Sequence, residues 1–175
     1  MLTEKQMLAT KRTRKVVVLG MGNLLLKDEG IGVHVAQVMQ EMPSPDGIEM
    51  EVVDGGTLPD IVPLDGVDKL IVVDAVKGGG EPGTIYRFHP EDIRTEYGIA
   101  TSLHQVSLLE NLWMMERFGH KPEEAVIVGV EPADISSGLE LSAGIQERVS
   151  QIIDIVMNEV QAGLPDKPEK GEGSK

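Results

Sequence analysis

The chain contains no cysteine. This excludes disulfides, thiolate metal sites and a cysteine nucleophile together, and it fits a reducing cytoplasm. Long apolar runs are also missing. No stretch approaches the roughly 20 residues needed to cross a bilayer, so no membrane partner is expected. The N-terminal segment MLTEKQMLATKRTRK is basic and polar, and no apolar signal core follows it. Secretion is therefore not expected, and a cytoplasmic location is. Positive charge is scarce: 16 Lys and Arg stand against 29 Asp and Glu, a formal net charge of -13. The single small basic cluster runs from Lys11 to Lys15. Binding nucleic acid takes clusters of Lys and Arg that displace counterions, so nucleic acid is excluded as an expected partner.

What remains is a chain of 175 residues with an ordinary apolar fraction of 41%, enough for one domain with a real core. Residues 1–14 are expected to form a flexible arm. Residues 163–175 (GLPDKPEKGEGSK) carry Pro, Gly and charge without apolar periodicity and are expected to form a disordered tail. The domain proper is then 15–162, without internal repeats.

Within it, short apolar runs alternate with helical patterns. Strands are expected at Lys15–Leu19, Ile48–Val53, Lys69–Val73 and Ala125–Val130, with an edge strand at Thr84–Phe88. One helix is expected from Gly30 to about Met42, with a stripe of Ile31, Val35, Val38 and Met42 ended by Pro43. Further helices are expected from Pro59 to Pro63, from Ser102 to about Phe118, and from Ser142 to about Val160. The last has an apolar face of Ile145, Val149, Ile152, Ile153, Val156 and Val160. The pattern predicts a single three-layer α/β domain. Its twisted, mostly parallel sheet has about five strands and helices on both faces.

Three of the strands end on carboxylates. The first leads through Gly20-Met21-Gly22 to Asp28-Glu29, the second ends in Asp54-Gly55-Gly56, and the third ends in Asp74. Ligands of open α/β sheets bind outside the carboxyl ends of the strands. That rule places Glu29, Asp54 and Asp74 around one crevice, joined by His104 from the helix start Ser102-Leu103-His104-Gln105. Each has a plainer reading. Asp28 and Glu29 also suit helix capping and the helix dipole, Asp54 suits an ordinary turn, and a lone histidine is commonly a surface residue. Asp74 follows four apolar residues, where a carboxylate without a partner is costly. The Gly20-Met21-Gly22 turn begins like a dinucleotide fingerprint, but Leu25 stands where the third glycine belongs, and Asp28 and Glu29 would repel a pyrophosphate. A tight strand-to-helix turn is the expected role of these glycines. Two carboxylates and a neutral imidazole, favoured at a helix N-terminus, form an O/N set suited to a divalent ion such as Zn, Ni, Co or Fe.

The segments VVVLGMGNLLLKDEGIGV, VVDGGT, IVVDAV, PGTIYRF, SLHQ and GVEP, in this order, resemble the nickel–iron hydrogenase maturation endopeptidases over about residues 15–160. Glu29 and the SLHQ motif place the resemblance nearer the uptake-hydrogenase branch. The resemblance implies a single α/β domain that removes the C-terminal extension of a hydrogenase large-subunit precursor after nickel insertion. It implies Glu29, Asp74 and His104 as the metal-contacting and catalytic residues, with Asp54 and Gly55 beside the substrate. No resident cofactor is implied: the nickel belongs to the precursor, although Zn or Cd could occupy the site in vitro. The expected partner is the nickel-loaded precursor, and the expected state is a monomer. A non-proteolytic nickel checkpoint and a resident-metal hydrolase stand as alternatives. Neither HExxH nor Asp-Thr/Ser-Gly is present, and the absence of cysteine and of a Ser/His/Asp order opposes an acyl-enzyme route.

Overall fold

The computed structural model describes residues 12–56, 64–94 and 116–163, except 118 and 120. Five strands form one sheet: β1 (Arg14–Met21), β2 (Ile48–Gly56), β3 (Lys69–Ala75), β4 (Ile85–Phe88) and β5 (Glu124–Val130). Their order is β2-β1-β3-β5-β4, and all pairs are parallel except β4 with β5. The alternating segment expected at the edge is therefore the edge strand, and it is the antiparallel one. The strands run longer than expected at their carboxyl ends, so Gly20, Met21, Asp54 and Asp74 sit within the ladders rather than beyond them.

The central strands read as unbroken apolar runs because both faces are covered. Val16, Val18, Ile71, Val73 and Val128 face one core, with α1 (Ile31–Met39) and α3 (Val149–Gln161) packed on it. Val17, Leu19, Leu70, Val72 and Ile127 face a second core, filled by Leu64, Val67, Val76 and Phe88. The helices expected at Pro59–Pro63 and Ser102–Phe118 lie almost wholly outside the described residues.

Two helices differ from expectation. The segment expected as one helix from Ser142 is two, α2 (Ala143–Gln146) and α3, separated by a turn at Glu147 and Arg148. The Arg148 N–H bonds Ile145 rather than the carbonyl four residues back. Its side chain lies against Gly83, where a Cβ would come 2.4 Å from Nε. The apolar face continues across the break: Ile145, Val149, Ile152, Ile153, Val156 and Val160 are all buried. Each such side chain contributes about 1.5–3 kcal/mol of burial. α1 stops at Met39, and its continuation relaxes into i→i−3 bonds, such as Met42 N–H to Met39 O at 3.0 Å. Pro43 disfavours helical backbone at the preceding residue. Its buried stripe is Ile31, Val35 and Met39, while Val38 is half exposed.

Candidate functional site at the carboxyl edge of the sheet

The glycines after β1 serve close backbone approach. A Cβ on Gly20 would lie 2.1 Å from the Gly32 carbonyl oxygen, and one on Gly22 would lie 1.9 Å from that of Glu29. Gly22 also has φ +142°, a region that disfavours side chains. A Cβ on Gly32 would meet the carbonyl oxygens of Val73 at 2.1 Å and Met21 at 2.3 Å. With no side chains in the way, the first turn of α1 sits directly on the ends of β1 and β3. The tight turn expected at Gly20-Met21-Gly22 is corrected: Gly20 and Met21 belong to β1, and only Gly22 lies beyond it.

This seating places Glu29. It lies in a 3-10 turn, Lys27–Gly30, that contacts β3, and its carbonyl accepts the Asn23 N–H at 3.1 Å. Gly32, three residues on, rests on Val73, the residue before Asp74. The turn that carries Glu29 thus lies against the carboxyl end of β3. Glu29 is half-buried and Asp74 is 1% exposed, with its Oδ1 accepting the Ala75 N–H at 2.9 Å.

Asp54 is placed differently. It pairs in register with Gly20, whose Cβ would point into α1. Asp74 pairs with Gly129, whose Cβ would point at Val76 and Phe88 in the second core. The two aspartates share the carboxyl edge but lie on opposite faces, with β1 between them, which puts their Cα atoms roughly 10 Å apart at the usual strand spacing. Asp54 is exposed, and it accepts hydrogen bonds from the Gly56 N–H at 3.2 Å and the Gln37 side chain at 3.3 Å. The single crevice expected for all the strand-end carboxylates is therefore corrected. Period-two alternation puts Asp54 on the α1 side. Gly55 packs on Leu19, where a Cβ would come within 2.7 Å of Cδ1.

The acidic pair after β1 divides its work. Asp28 is fully buried, and neither it nor Glu29 caps a helix. Its Oδ2 accepts the backbone N–H groups of Ala133 and Asp134 at 2.9 and 2.8 Å and the Ser142 hydroxyl at 2.8 Å, while Oδ1 accepts the Ser142 N–H at 2.7 Å. The capping reading of Asp28 is corrected: it pins the loop after β5 to the turn after β1. Lys27 turns the chain to allow this, at φ +43°, and its ammonium pairs with Asp134. That hydrogen bond, with one from Ser136, lowers the Asp134 pKa well below the usual carboxylate range.

Glu131 was not singled out from the sequence, although it directly follows β5. It is 8% exposed, and its Oε2 accepts both the Tyr86 hydroxyl and the Gly78 N–H at 2.7 Å. Burial, followed by the bond to Glu131, raises the Tyr86 pKa. Glu131 forms part of a cavity of about 400 Å³ beyond the ends of β3 and β5, with Lys77–Gly79 on one side and Pro132, Ala133 and Ile135 on the other. The strand-end rule, applied to β5, would have found it.

His104 lies outside the described residues. Among the described residues no three His, Asp or Glu side chains converge on a metal position; of the three expected ligands, two, Glu29 and Asp74, are described. Such a pair supplies hard oxygen donors for a divalent ion, or a base beside a bound peptide.

A sequence profile described as hydrogenase maturation protease matches residues 33–159. The chain belongs to the hydrogenase maturation protease family. Hydrogenase 2 maturation protease of Escherichia coli K12 is 32% identical over 154 residues, covering 86% of this chain and 90% of that protein. The hydrogenase expression/formation protein HupD of Thiocapsa roseopersicina is 34% identical over 151 residues, covering 82% of this chain. The chain spans 66% of that relative's length. The solved hydrogenase maturating endopeptidase HybD from E. coli superposes with a TM-score of 0.70 at 26% identity, covering 84% of this chain and 92% of that one. Membership places the chain among proteolytic enzymes, and the single α/β domain with its mostly parallel sheet is the family's fold. No helix among the described residues is long and apolar enough to cross a membrane.

Proposed function

We propose that the protein is the endopeptidase that removes the C-terminal extension from a hydrogenase large-subunit precursor once nickel has been inserted. The observation that carries this reading is the seating of the Glu29 turn on the end of β3 beside Asp74, in a chain of this family. A carboxylate pair at the carboxyl edge of an α/β sheet, flanked by an open cavity, suits recognition of a metal carried in on a peptide. Glu29, Asp74 and His104 complete the coordination of the precursor's nickel and hold the scissile bond beside it. The nickel is part of the substrate, and the enzyme carries no resident cofactor. A carboxylate of the set acts as general base toward water, or the nickel lowers that water's pKa. Asp54 and Gly55 shape the neighbouring wall through α1 and β1. The enzyme acts as a cytoplasmic monomer, and Glu29 in the acidic pair, with HupD-named relatives, favours an uptake-hydrogenase precursor.

The test is incubation of purified protein with precursor, with and without nickel, followed by intact mass measurement. A mass loss confined to the nickel-loaded precursor is expected. Nickel-dependent binding without mass loss would instead establish a non-proteolytic checkpoint. Cleavage independent of precursor nickel, together with stoichiometric zinc in the enzyme, would establish a resident-metal hydrolase.

A further inference from the structure

The proposed chemistry makes no use of Glu131, although it is a buried carboxylate two residues past the ladder partner of Asp74. Its backbone is tied to the start of β4: the Glu131 N–H bonds Thr84 O at 2.9 Å, and the Gly83 N–H bonds Glu131 O at 2.8 Å. Its side chain reaches the loop at 77–80, which begins three residues after Asp74. One carboxylate oxygen, Oε2, accepts the Gly78 N–H and the Tyr86 hydroxyl, each at 2.7 Å, and that hydroxyl accepts the Gly80 N–H at 3.0 Å. The glycines fit this arrangement. A Cβ on Gly78 would fall 2.6 Å from Tyr86 Cζ, one on Gly80 would fall 2.4 Å from the Tyr86 hydroxyl oxygen, and Gly79 has φ +82°. The loop is thus wrapped on the hydroxyl end of Tyr86, where side chains would not fit. Residues 77–79 also line the cavity of about 400 Å³ beyond the ends of β3 and β5.

Three consecutive glycines have the largest conformational freedom a tripeptide can have. The pairing of β3 with β5 ends at Ala75 and Val130, with the Val76 N–H bonding Val130 O beyond it, so that ladder does not restrain 78–80. Glu131 and Tyr86 do, by meeting the N–H groups of Gly78 and Gly80. The loop is also close to the proposed chemistry. Three residues of chain span at most about 11 Å, so an extended peptide held at Asp74 comes level with the loop within about three residues. We infer that Glu131 and Tyr86 are positioning residues of the proteolytic site, holding the loop at 77–80 in the conformation that keeps the carboxyl edge beside Asp74 open to the precursor polypeptide. This rests on the proteolytic reading above. Asp74 itself is held in the ladder with Gly129, so the pair acts on binding rather than on the chemical step. Without it the loop is open only part of the time, and apparent affinity falls by that fraction. The role needs an acceptor oxygen and not a charge, because both bonds go to Oε2 and an amide carbonyl also has two lone pairs.

The experiment compares wild type, Glu131→Ala, Glu131→Gln and Tyr86→Phe on nickel-loaded precursor. For Glu131→Ala the expected result is a rise in KM of about tenfold with kcat little changed, as when the binding-competent conformation falls to about a tenth. Tyr86→Phe removes the hydroxyl and keeps the ring, and should show a smaller rise of the same kind. Glu131→Gln should bring KM back close to the wild-type value. A lower melting temperature in Glu131→Ala with unchanged KM would make the residue structural alone and overturn the inference. A Glu131→Gln variant as impaired as Glu131→Ala would also overturn it, because the carboxylate charge would then be what matters. Should Glu131→Ala fail to fold, Tyr86→Phe decides in the same assay, and an unchanged KM there overturns the inference. Absence of cleavage by wild type defeats the proteolytic reading itself. In that case, equally tight precursor binding by wild type and Tyr86→Phe would overturn the positioning role separately.

Discussion

Asp28 accepts two hydrogen bonds from one residue, Ser142: the backbone N–H on Oδ1 at 2.7 Å and the hydroxyl on Oδ2 at 2.8 Å. The two lie 114 positions apart in sequence. Their contact closes the loop after β5 over the turn after β1, so the residues before Glu29 and those around the cavity form one rigid unit.

Replacing Asp28 tests that unit. In Asp28→Asn an amide donor takes the place of one oxygen and faces N–H donors that need an acceptor. The expected loss is about 2–3 kcal/mol, the cost of leaving a buried donor unmet. Ser142→Ala removes the hydroxyl bond alone and should cost about 1.5 kcal/mol. Urea denaturation of the three proteins measures both, and equal stability of Asp28→Asn and wild type would refute the pinning role.

Gly32→Ala should be more damaging than its one methyl suggests. The new Cβ would fall 2.1 Å from Val73 O and 2.3 Å from Met21 O, both of them backbone atoms that cannot swing away. α1 must lift off the strand ends, carrying the Glu29 turn with it. A loss of roughly 1–3 kcal/mol is expected from overpacking, together with at least about a hundredfold fall in precursor cleavage from misplacement of the site. A variant with wild-type stability and activity would show that the seating does not set the site.

The proposed active groups should behave in the opposite way. Glu29→Gln and His104→Ala should abolish processing and leave the melting temperature close to wild type. Asp74→Asn should also abolish processing, with some loss of stability because the side chain is buried and bonded. Gel-shift assay of the precursor reads the activity. Full cleavage by Asp74→Asn would remove that residue from the mechanism.

At the far end of β3, Lys69 is 1% exposed and paired with Glu159 at 2.9 Å and Glu124 at 3.1 Å, and Arg87 joins Glu159 from β4. Burial acts to raise the Glu159 pKa, but hydrogen bonds and charge from Arg87 and Lys69 outweigh it and lower the pKa. A lowered folded-state value gives stability that is present above the unfolded value of about 4.5 and is lost as pH falls through the folded value. Glu159→Gln should therefore be less stable than wild type at pH 7, and the gap should narrow below pH 4.5. Chemical denaturation at pH 7 and pH 3.5 reads the difference; a gap independent of pH would show that ionised Glu159 is not its source.

Much of the fold was legible because burial leaves a strong mark on a parallel sheet. Val16–Leu19, Leu70–Val73 and Val126–Val128 are apolar without a break, since a strand covered on both faces has no polar side to show. The apolar face of α3 was legible for the same reason, in the helical period. The break at Glu147 and Arg148 was not, because the apolar period runs through it unchanged. The shift of the α1 stripe from Val38 to Met39 follows a choice between two apolar neighbours that composition alone does not make.

At the site, the chain by itself determined which residue types stand at the strand ends: Glu29, Asp54 and Asp74 follow from run lengths and turn glycines. It also argued against a phosphate cradle, since Leu25 and the acidic pair stand where a glycine and an anion would have to be. Only the tertiary structure decided which face of the sheet each carboxylate takes. Alternation sends Asp54 to one face and Asp74 to the other, and strand order puts β1 between them. Three glycines without Cβ atoms let α1 bring Glu29 down on the end of β3. Asp28 and Glu29 are adjacent and both acidic, so no local rule separates them. The loop that returns past β5 captures one as a buried anchor and leaves the other on the turn that lies against the end of β3.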